Sequence, residues 1–180
     1  MSAGRAATAN VLGAVALAVA GQIPVTVTPG GGRSDSSAAA LSALYHFPGH
    51  PTVDRLGQVL GLTHSGAVRL VDRLAGAGLV ERAPGTDRRS RSVHLTAAGR
   101  RAARRVSDRR LAYLGSLLAD LSAAETGALH ELLGRVMGQV VQHKQGGAWI
   151  CRMCDLQACG RAAGHCPAAN AAAVKYGTTP

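Results

Sequence analysis

Apolar residues recur at helical spacing along most of this 180-residue chain. Apolar positions three and four residues apart, with glycine and proline at the breaks, predict helices over 6–22, 34–46, 52–60, 63–76, 97–120 and 123–143. Strand-like runs occur only between residues 79 and 95, on either side of a turn rich in Pro, Gly and Asp. The pattern therefore predicts a mainly α fold with one small β-hairpin.

The helix predicted over residues 63–76 has two chemically different faces. Its apolar positions, together with the residue before it, share one face: Leu62, Ala67, Leu70, Val71 and Leu74. The opposite face is polar and carries His64, Ser65, Arg69 and Arg73. Such a helix packs on one side and presents charged side chains to a partner on the other.

A hairpin with an arginine-rich turn follows this helix directly. Gly78 ends the helix, Leu79–Arg82 begins the first strand, and Arg91–Thr96 returns as the second strand. Two helices, a tight turn and a basic hairpin, in that order, are typical of a winged helix that binds DNA.

These residues resemble the MarR family of bacterial transcription regulators. The resemblance rests on Ser65, Arg69–Leu74, Gly78–Val80, Asp87–Arg89 and Leu95–Gly99, and it extends over roughly residues 10–143. It implies a winged helix-turn-helix with long dimerisation helices, bound as a homodimer to a near-palindromic operator and acting as a repressor. It further implies that Asp87 supports the wing by pairing with an arginine, that Arg89 enters the minor groove, and that Arg88 and Arg91 flank it on the DNA backbone.

The family also commonly binds a small-molecule effector between the dimer helices and the DNA-binding domain. By that analogy alone, Tyr45, His46 and Arg55 are candidate lining residues for an effector pocket. The regulator could sense redox state, a metal or such a molecule.

The charge of the chain agrees with double-stranded DNA as partner. Twenty Lys and Arg oppose ten Asp and Glu, a formal net charge of +10. Ten of the arginines lie between Arg82 and Arg110, where the only acids are Asp87 and Asp108. Five aromatic residues are too few to provide stacking platforms for RNA bases.

The helix predicted over residues 63–76, with the residue before its polar face, supplies the candidate DNA contacts. They are Thr63, His64, Ser65, Gly66, Arg69 and Arg73. Thr63 is expected to cap the helix, whose N-terminus suits a phosphate, and Ser65 and Gly66 are short enough for close approach to the groove. Arg69 could donate two hydrogen bonds to guanine, whereas Arg73 suits a phosphate. Alternatively, Arg69 pairs with Asp72 or Asp54.

The N-terminal segment resembles a secretory signal, with Arg5 followed by the apolar run Val11–Ala20. One arginine is a weak basic start, and this run is too short to span a bilayer, so a cytoplasmic protein without a membrane partner is expected. The run instead predicts a dimerisation helix, as does the apolar stripe Leu129, Leu132, Leu133, Val136, Met137, Val140 and Val141. Packing of the stripe within its own chain is the alternative.

All four cysteines lie in one short segment after the last helix, as C-x2-C-x4-C-x6-C: Cys151, Cys154, Cys159 and Cys166. Thiolates so closely spaced can hold one tetrahedral zinc ion or a small iron–sulfur cluster, and the spacing does not decide between them. Two disulfides are the competing interpretation, disfavoured in a reducing cytosol. His165 is a possible substitute ligand, expected outside the ligand set, and Ala168–Pro180 is expected to be a frayed tail.

These predictions divide the chain into four parts. They are a dimerisation helix and linker (1–33), a winged-helix domain (34–96), further dimerisation helices (97–143) and a metal-binding tail (144–180). No phosphate-binding glycine loop, Gly-x-Ser-x-Gly elbow or His-Glu-x-x-His pair is present, so the chain is not expected to be an enzyme. A non-specific architectural DNA-binding protein and a cysteine-based redox protein are the alternative functions.

Overall fold

A computed structural model describes residues 2–27, 36–47, 49–84 and 91–177 of the chain. In chain order the elements are α1 (Ala3–Val27), α2 (Ser37–His46), α3 (Val53–Leu60), α4 (His64–Gly76), β1 (Val80–Pro84), β2 (Arg91–Leu95), α5 (Ala97–Ser116), α6 (Ala123–His143) and α7 (Pro167–Tyr176). The predicted fold class, mainly α with a small β-hairpin wing, is confirmed.

The main core lies where α2, α3, α4 and the hairpin meet. The apolar face predicted for α4 is buried there, with Leu70, Val71 and Leu74 each at most 2% exposed. Leu56 of α3 and Val93 of β2 are equally inaccessible and belong to the same cluster. Burial of these side chains fixes which face of α4 remains in solvent.

The hairpin pairs β1 with β2 in antiparallel register, from Val80 opposite Leu95 to Pro84 opposite Arg91. A third short segment joins it, because Thr52 forms an isolated bridge with Ser92 and the Val93 amide donates to the Pro51 carbonyl at 2.9 Å. This contact holds the start of α3 against the hairpin. No periodicity in the sequence signals a bridge of one residue pair.

The junction between the hairpin and α5 explains the Leu95–Gly99 motif. The Thr96 hydroxyl accepts from the Gly99 amide at 3.0 Å and donates to the Gly78 carbonyl at 2.7 Å. A Cβ atom added at Gly99 would lie 1.8 Å from the Leu79 carbonyl oxygen. Only glycine fits here without moving the backbone.

The carboxyl-terminal residues differ from the prediction. The expectation of a frayed tail over Ala168–Pro180 is wrong for Ala168–Tyr176, which belong to α7 and pack along α6. Lys175 makes the contact specific, because its ammonium donates at 2.8–2.9 Å to the carbonyls of Val141, Gln142 and Lys144 at the end of α6. A cation there satisfies carbonyl groups that have no partner within the helix.

Two other helix lengths differ from prediction. Helix α5 ends at Ser116 and is followed by turns, and α1 extends to 25 residues, beyond the predicted 6–22. The boundary predicted between residues 33 and 34 lies outside the described residues.

Helix α1 is largely uncovered. Val11, Val15 and Leu17 are 53–78% exposed. The expectation that this segment is too short to span a bilayer was wrong, since Ala3–Pro24 is long and apolar enough to cross a membrane by length and composition. Helix α1 packs against α5.

Candidate DNA-binding surface

The amino end of α4 is shaped as predicted. The Thr63 side chain accepts from the Gly66 amide at 3.2 Å, so Thr63 is the N-cap residue. Ser65 is exposed in the first turn, and its hydroxyl lies 3.4 Å from that of Thr63. The first turn therefore presents short side chains and amide groups to solvent, which suits close approach to a phosphate or to a groove.

Arg69 lies exposed on the solvent face of α4 and makes no hydrogen bond or ion pair within the described residues. Its two candidate acidic partners are engaged elsewhere. Asp72 pairs with Arg82 of β1 at 2.7 Å, and Asp54 pairs with His64 at 2.5 Å. The alternative in which Arg69 is neutralised by either acid is not what the structure shows.

The two ion pairs link α4 to its neighbours. His64 and Asp54 are both about 70% exposed and join the first turn of α4 to that of α3. The Arg82–Asp72 pair joins α4 to the hairpin. Exposed pairs of this kind contribute little to stability, but they hold the surface side chains in register.

The hairpin contributes Arg91, which is exposed and stands opposite Pro84 at the end of the described ladder. Arg73 is exposed one turn beyond Arg69 on α4. The predicted wing residues Asp87, Arg88 and Arg89 lie outside the described residues. The structure thus places the candidate DNA contacts of α4 and Arg91 of the hairpin on the same domain.

The segment after α6 docks on this domain, a contact that the sequence did not predict. The Trp149 amide donates to the Val59 carbonyl of α3 at 2.8 Å, and the Arg55 guanidinium lies 4.7 Å from the centre of the indole ring. Phe47 meets the same ring edge-on at 5.8 Å. Trp149 thereby ties the tail to the first helix of the helix-turn-helix.

A second contact joins the tail to α2 and α5. The His46 ring lies 3.8 Å from the Asp155 carboxylate and 3.0 Å from the Ser107 hydroxyl, and its side chain is 8% exposed. Burial lowers the pKa of His46 below its ordinary value, more strongly than the opposing attraction of Asp155 raises it, and Arg110 lowers it further. His46 is therefore held neutral near pH 7.

In the part of the chain that the structure describes, the effector candidates line two different cavities. Tyr45 and His46 line a cavity of about 540 Å³, with Arg104 and Asp155. Arg55 instead lines a cavity of about 740 Å³ between α3 and the tail, with Trp149 and Arg161. The larger cavity combines aromatic walls with two guanidinium groups.

The four cysteines are free thiols, and only Cys166 is buried. Within the described ranges, no three His, Cys, Asp or Glu side chains are gathered closely enough to hold a metal ion. The thiols are nevertheless neighbours. Burial raises the pKa of Cys154, Arg110 lowers it, and the other three cysteines raise it again. The pKa of Cys159 is raised by burial, by the charge of Cys166 and by a hydrogen bond with the Cys166 thiol.

Comparison with known proteins agrees with this architecture. The family profile described as the MarR family matches residues 32–90. A MarR family protein from Bacillus stearothermophilus is similar in structure, with a TM-score of 0.64 and 24% identity, over 78% of this chain and 98% of its own. RV1404 from Mycobacterium tuberculosis superposes with a TM-score of 0.59 and 24% identity, over 81% and 98% of the two chains.

CouR from Rhodococcus jostii RHA1, whose structure was solved bound to p-coumaroyl-CoA, has a TM-score of 0.52 and 24% identity over 70% of this chain and 88% of its own. No curated protein sequence gives a significant match. Residues 32–90 thus match the MarR family profile, and the similar solved structures share the winged helix-turn-helix fold of this chain. About a fifth of it has no counterpart in the Bacillus protein, although nearly all of that protein is covered.

The state of His46 leads to a prediction about stability. On acidification through its ordinary pKa of about 6.5, His46 takes up a proton in the unfolded chain but not in the folded one, so the free energy of unfolding decreases as the pH falls. His46→Gln should weaken this decrease between pH 7 and pH 5. Urea unfolding at several pH values measures it.

The matched control is His130→Gln on the exposed surface of α6, which should keep the pH dependence of the wild type. If the free energy of unfolding had the same pH dependence in the wild type and in His46→Gln, the lowered pKa of His46 would be contradicted.

Proposed function

We propose that this protein is a cytoplasmic transcription regulator that binds a near-palindromic DNA operator as a homodimer. The single observation that carries the proposal is the exposed face of α4, on which Ser65 and Arg69, which has no partner among the described residues, follow a capped helix N-terminus. An α-helix fits the major groove of B-DNA, and an arginine there can donate two hydrogen bonds to guanine.

The surrounding charge favours a polyanion on the same side. Arg73 and Arg91 are exposed on the winged-helix domain, and we assign them to phosphates and the DNA backbone. The wing residues Arg88 and Arg89 are assigned to the backbone and the minor groove, with Asp87 as their support, by family resemblance. These contacts position the domain, and α4 reads the sequence.

Dimerisation is favoured by apolar surface that the described residues of one chain leave exposed. On α6, Leu132, Val136 and Val140 are 37–55% exposed at intervals of four residues, and α1 exposes a similar row. Patches of this kind on a folded chain mark interaction surfaces. Two-fold symmetry would present two α4 helices to successive turns of one DNA face, about 10 bp apart.

An effector would fit the cavity between α3 and the tail. Two guanidinium groups line this cavity, from Arg55 and Arg161, and its aromatic wall is formed by Phe47 and Trp149. Such a lining suits an anionic aromatic molecule. Because the cavity touches the first helix of the helix-turn-helix, occupancy would bear on the position of α4. Repression is the expected effect of operator binding by such a protein.

The DNA-reading role of Arg69 is tested by substitution. Arg69→Ala should weaken binding to a duplex selected by the protein from a random library by about 1–3 kcal/mol, the cost of a lost bidentate base contact, and should alter the preferred sequence. Electrophoretic mobility shifts at several salt concentrations measure affinity and its dependence on counterion release.

The matched control is Arg109→Ala, which removes the same charge about 18 Å along α5 from the hairpin and should leave the sequence preference unchanged. A library that yields no enriched sequence would contradict the regulator and favour a non-specific architectural DNA-binding protein.

The dimer is tested on α6. Leu132→Glu places a charge in the exposed apolar row and should convert dimers to monomers, because an unpaired charge is costly to bury in an interface. Sedimentation of the purified proteins measures the oligomeric state.

Val174→Glu is the matched control, since Val174 is equally apolar and 82% exposed but lies on α7. A dimer that survives Leu132→Glu would refute the α6 interface. Recovery of the wild-type protein in membranes, released only by detergent, would instead assign α1 to a bilayer.

A further inference from the structure

The cysteine-rich segment, residues 149–166, is folded as successive tight turns. The Cys154 amide donates to the Cys151 carbonyl at 2.9 Å, the Cys159 amide to the Asp155 carbonyl at 3.1 Å, and the His165 amide to the Gly160 carbonyl at 3.0 Å. Each of these bonds closes a short loop between cysteines. The segment therefore has little regular structure apart from a 3-10 turn at Arg161–Ala163.

These turns bring the cysteines together in two pairs. Cys151 and Cys154 occupy the first and last positions of one turn, where the Cα atoms are less than about 7 Å apart. Cys159 and Cys166 flank the two residues joined by the bond from the His165 amide to the Gly160 carbonyl, which closes the loop between these two cysteines. Arg161 joins the pairs, because its guanidinium lies 3.8 Å from the Cys151 sulfur, ten residues away.

We propose that Cys151, Cys154, Cys159 and Cys166 hold a thiophilic metal centre, one zinc ion or one small iron–sulfur cluster, that keeps the Trp149 segment seated on α3. A zinc ion and an iron–sulfur cluster can both be held by the same ligands, four cysteine thiolates. A cysteine without a ligand is usually a buried apolar side chain, yet three of these four cysteines are partly exposed. Their exposure therefore favours a role as ligands. Among the described residues no three of these side chains are gathered around one point, so metal binding requires the Cys151–Cys154 and Cys159–Cys166 pairs to close on each other.

The centre would act on the winged-helix domain through a short path. Trp149 is two residues before Cys151 and is hydrogen-bonded to Val59. Its neighbour Ala148 packs against the turn between α3 and α4, where a Cβ at Gly61 would lie 2.5 Å from the Ala148 nitrogen. Loss of the metal would free the cysteine-rich segment and loosen this contact, so DNA affinity would depend on the metal. This step rests on the proposed DNA-binding function.

Metal content tests the site without DNA. Protein purified anaerobically should contain one zinc ion per chain without colour, or iron with inorganic sulfide and visible absorption, and its thiols should react fully only after the metal is removed. Metal-free protein that takes up neither added zinc nor cobalt and titrates four free thiols, or that contains two disulfides, would overturn the proposal.

Variants locate the ligands. Cys154→Ser should lose the metal, whereas His165→Ala, beside Cys166, should keep it. Circular dichroism checks that both variants remain helical, and if Cys154→Ser does not fold, the thiol reactivity of the wild type before and after metal removal decides. Metal retained by folded Cys154→Ser, or lost from folded His165→Ala, would overturn the four-thiolate assignment.

The effect of the metal on DNA affinity is tested with the duplex that the protein selects from a random library. Removal of the metal should weaken binding by wild type about tenfold, within the usual range of coupling between two sites, and its restoration should reverse the effect. Unchanged affinity would overturn the coupling. Failure of the metal-loaded protein to bind any duplex selectively would refute the proposed function and leave the metal site standing.

Discussion

Burial of one face of α4 is the constraint on which the rest of this structure depends. Leu70, Val71 and Leu74 reach the centre of the core and are shielded by α2, α3 and the hairpin. Because these side chains fix the rotation of the helix, Ser65 and Arg69 must face solvent. The apolar core and the proposed DNA-binding surface are therefore two consequences of one helical pattern.

The elements around α4 preserve this orientation. The Thr63 cap sets where the helix begins, and Thr96 together with the close approach at Gly99 anchors α5 to the end of the hairpin. The tail adds Trp149 against Val59, so α3 is held near its end by the tail and at its start by the hairpin. A change in the tail can thus act on α3, which packs against α4.

Local patterns in the sequence predicted much of this fold. The two faces of α4 and the Thr63 cap are encoded within a few residues, and both are present in the structure. Pro167 at the start and Gly177 at the end of α7 are ordinary helix boundary signals, but the alanine-rich run between them lacks amphipathic periodicity and so concealed the helix.

Contacts between distant segments could not be predicted in this way. The bridge from Thr52 to Ser92, the hydrogen bond from Trp149 to Val59 and the capping of α6 by Lys175 join residues 31 to 90 positions apart. Periodicity does not record such pairings. The candidate DNA residues of α4 were predictable because they belong to one helix, whereas the docking of the cysteine-rich segment depends on the whole fold.

The claim that two α4 helices read one face of DNA is tested most directly by hydroxyl-radical footprinting on a duplex selected by the protein. The account predicts two protected patches related by a two-fold axis, with centres about one helical turn, roughly 10 bp, apart. Uniform protection without a centre of symmetry, or the same pattern on a random duplex, would contradict it.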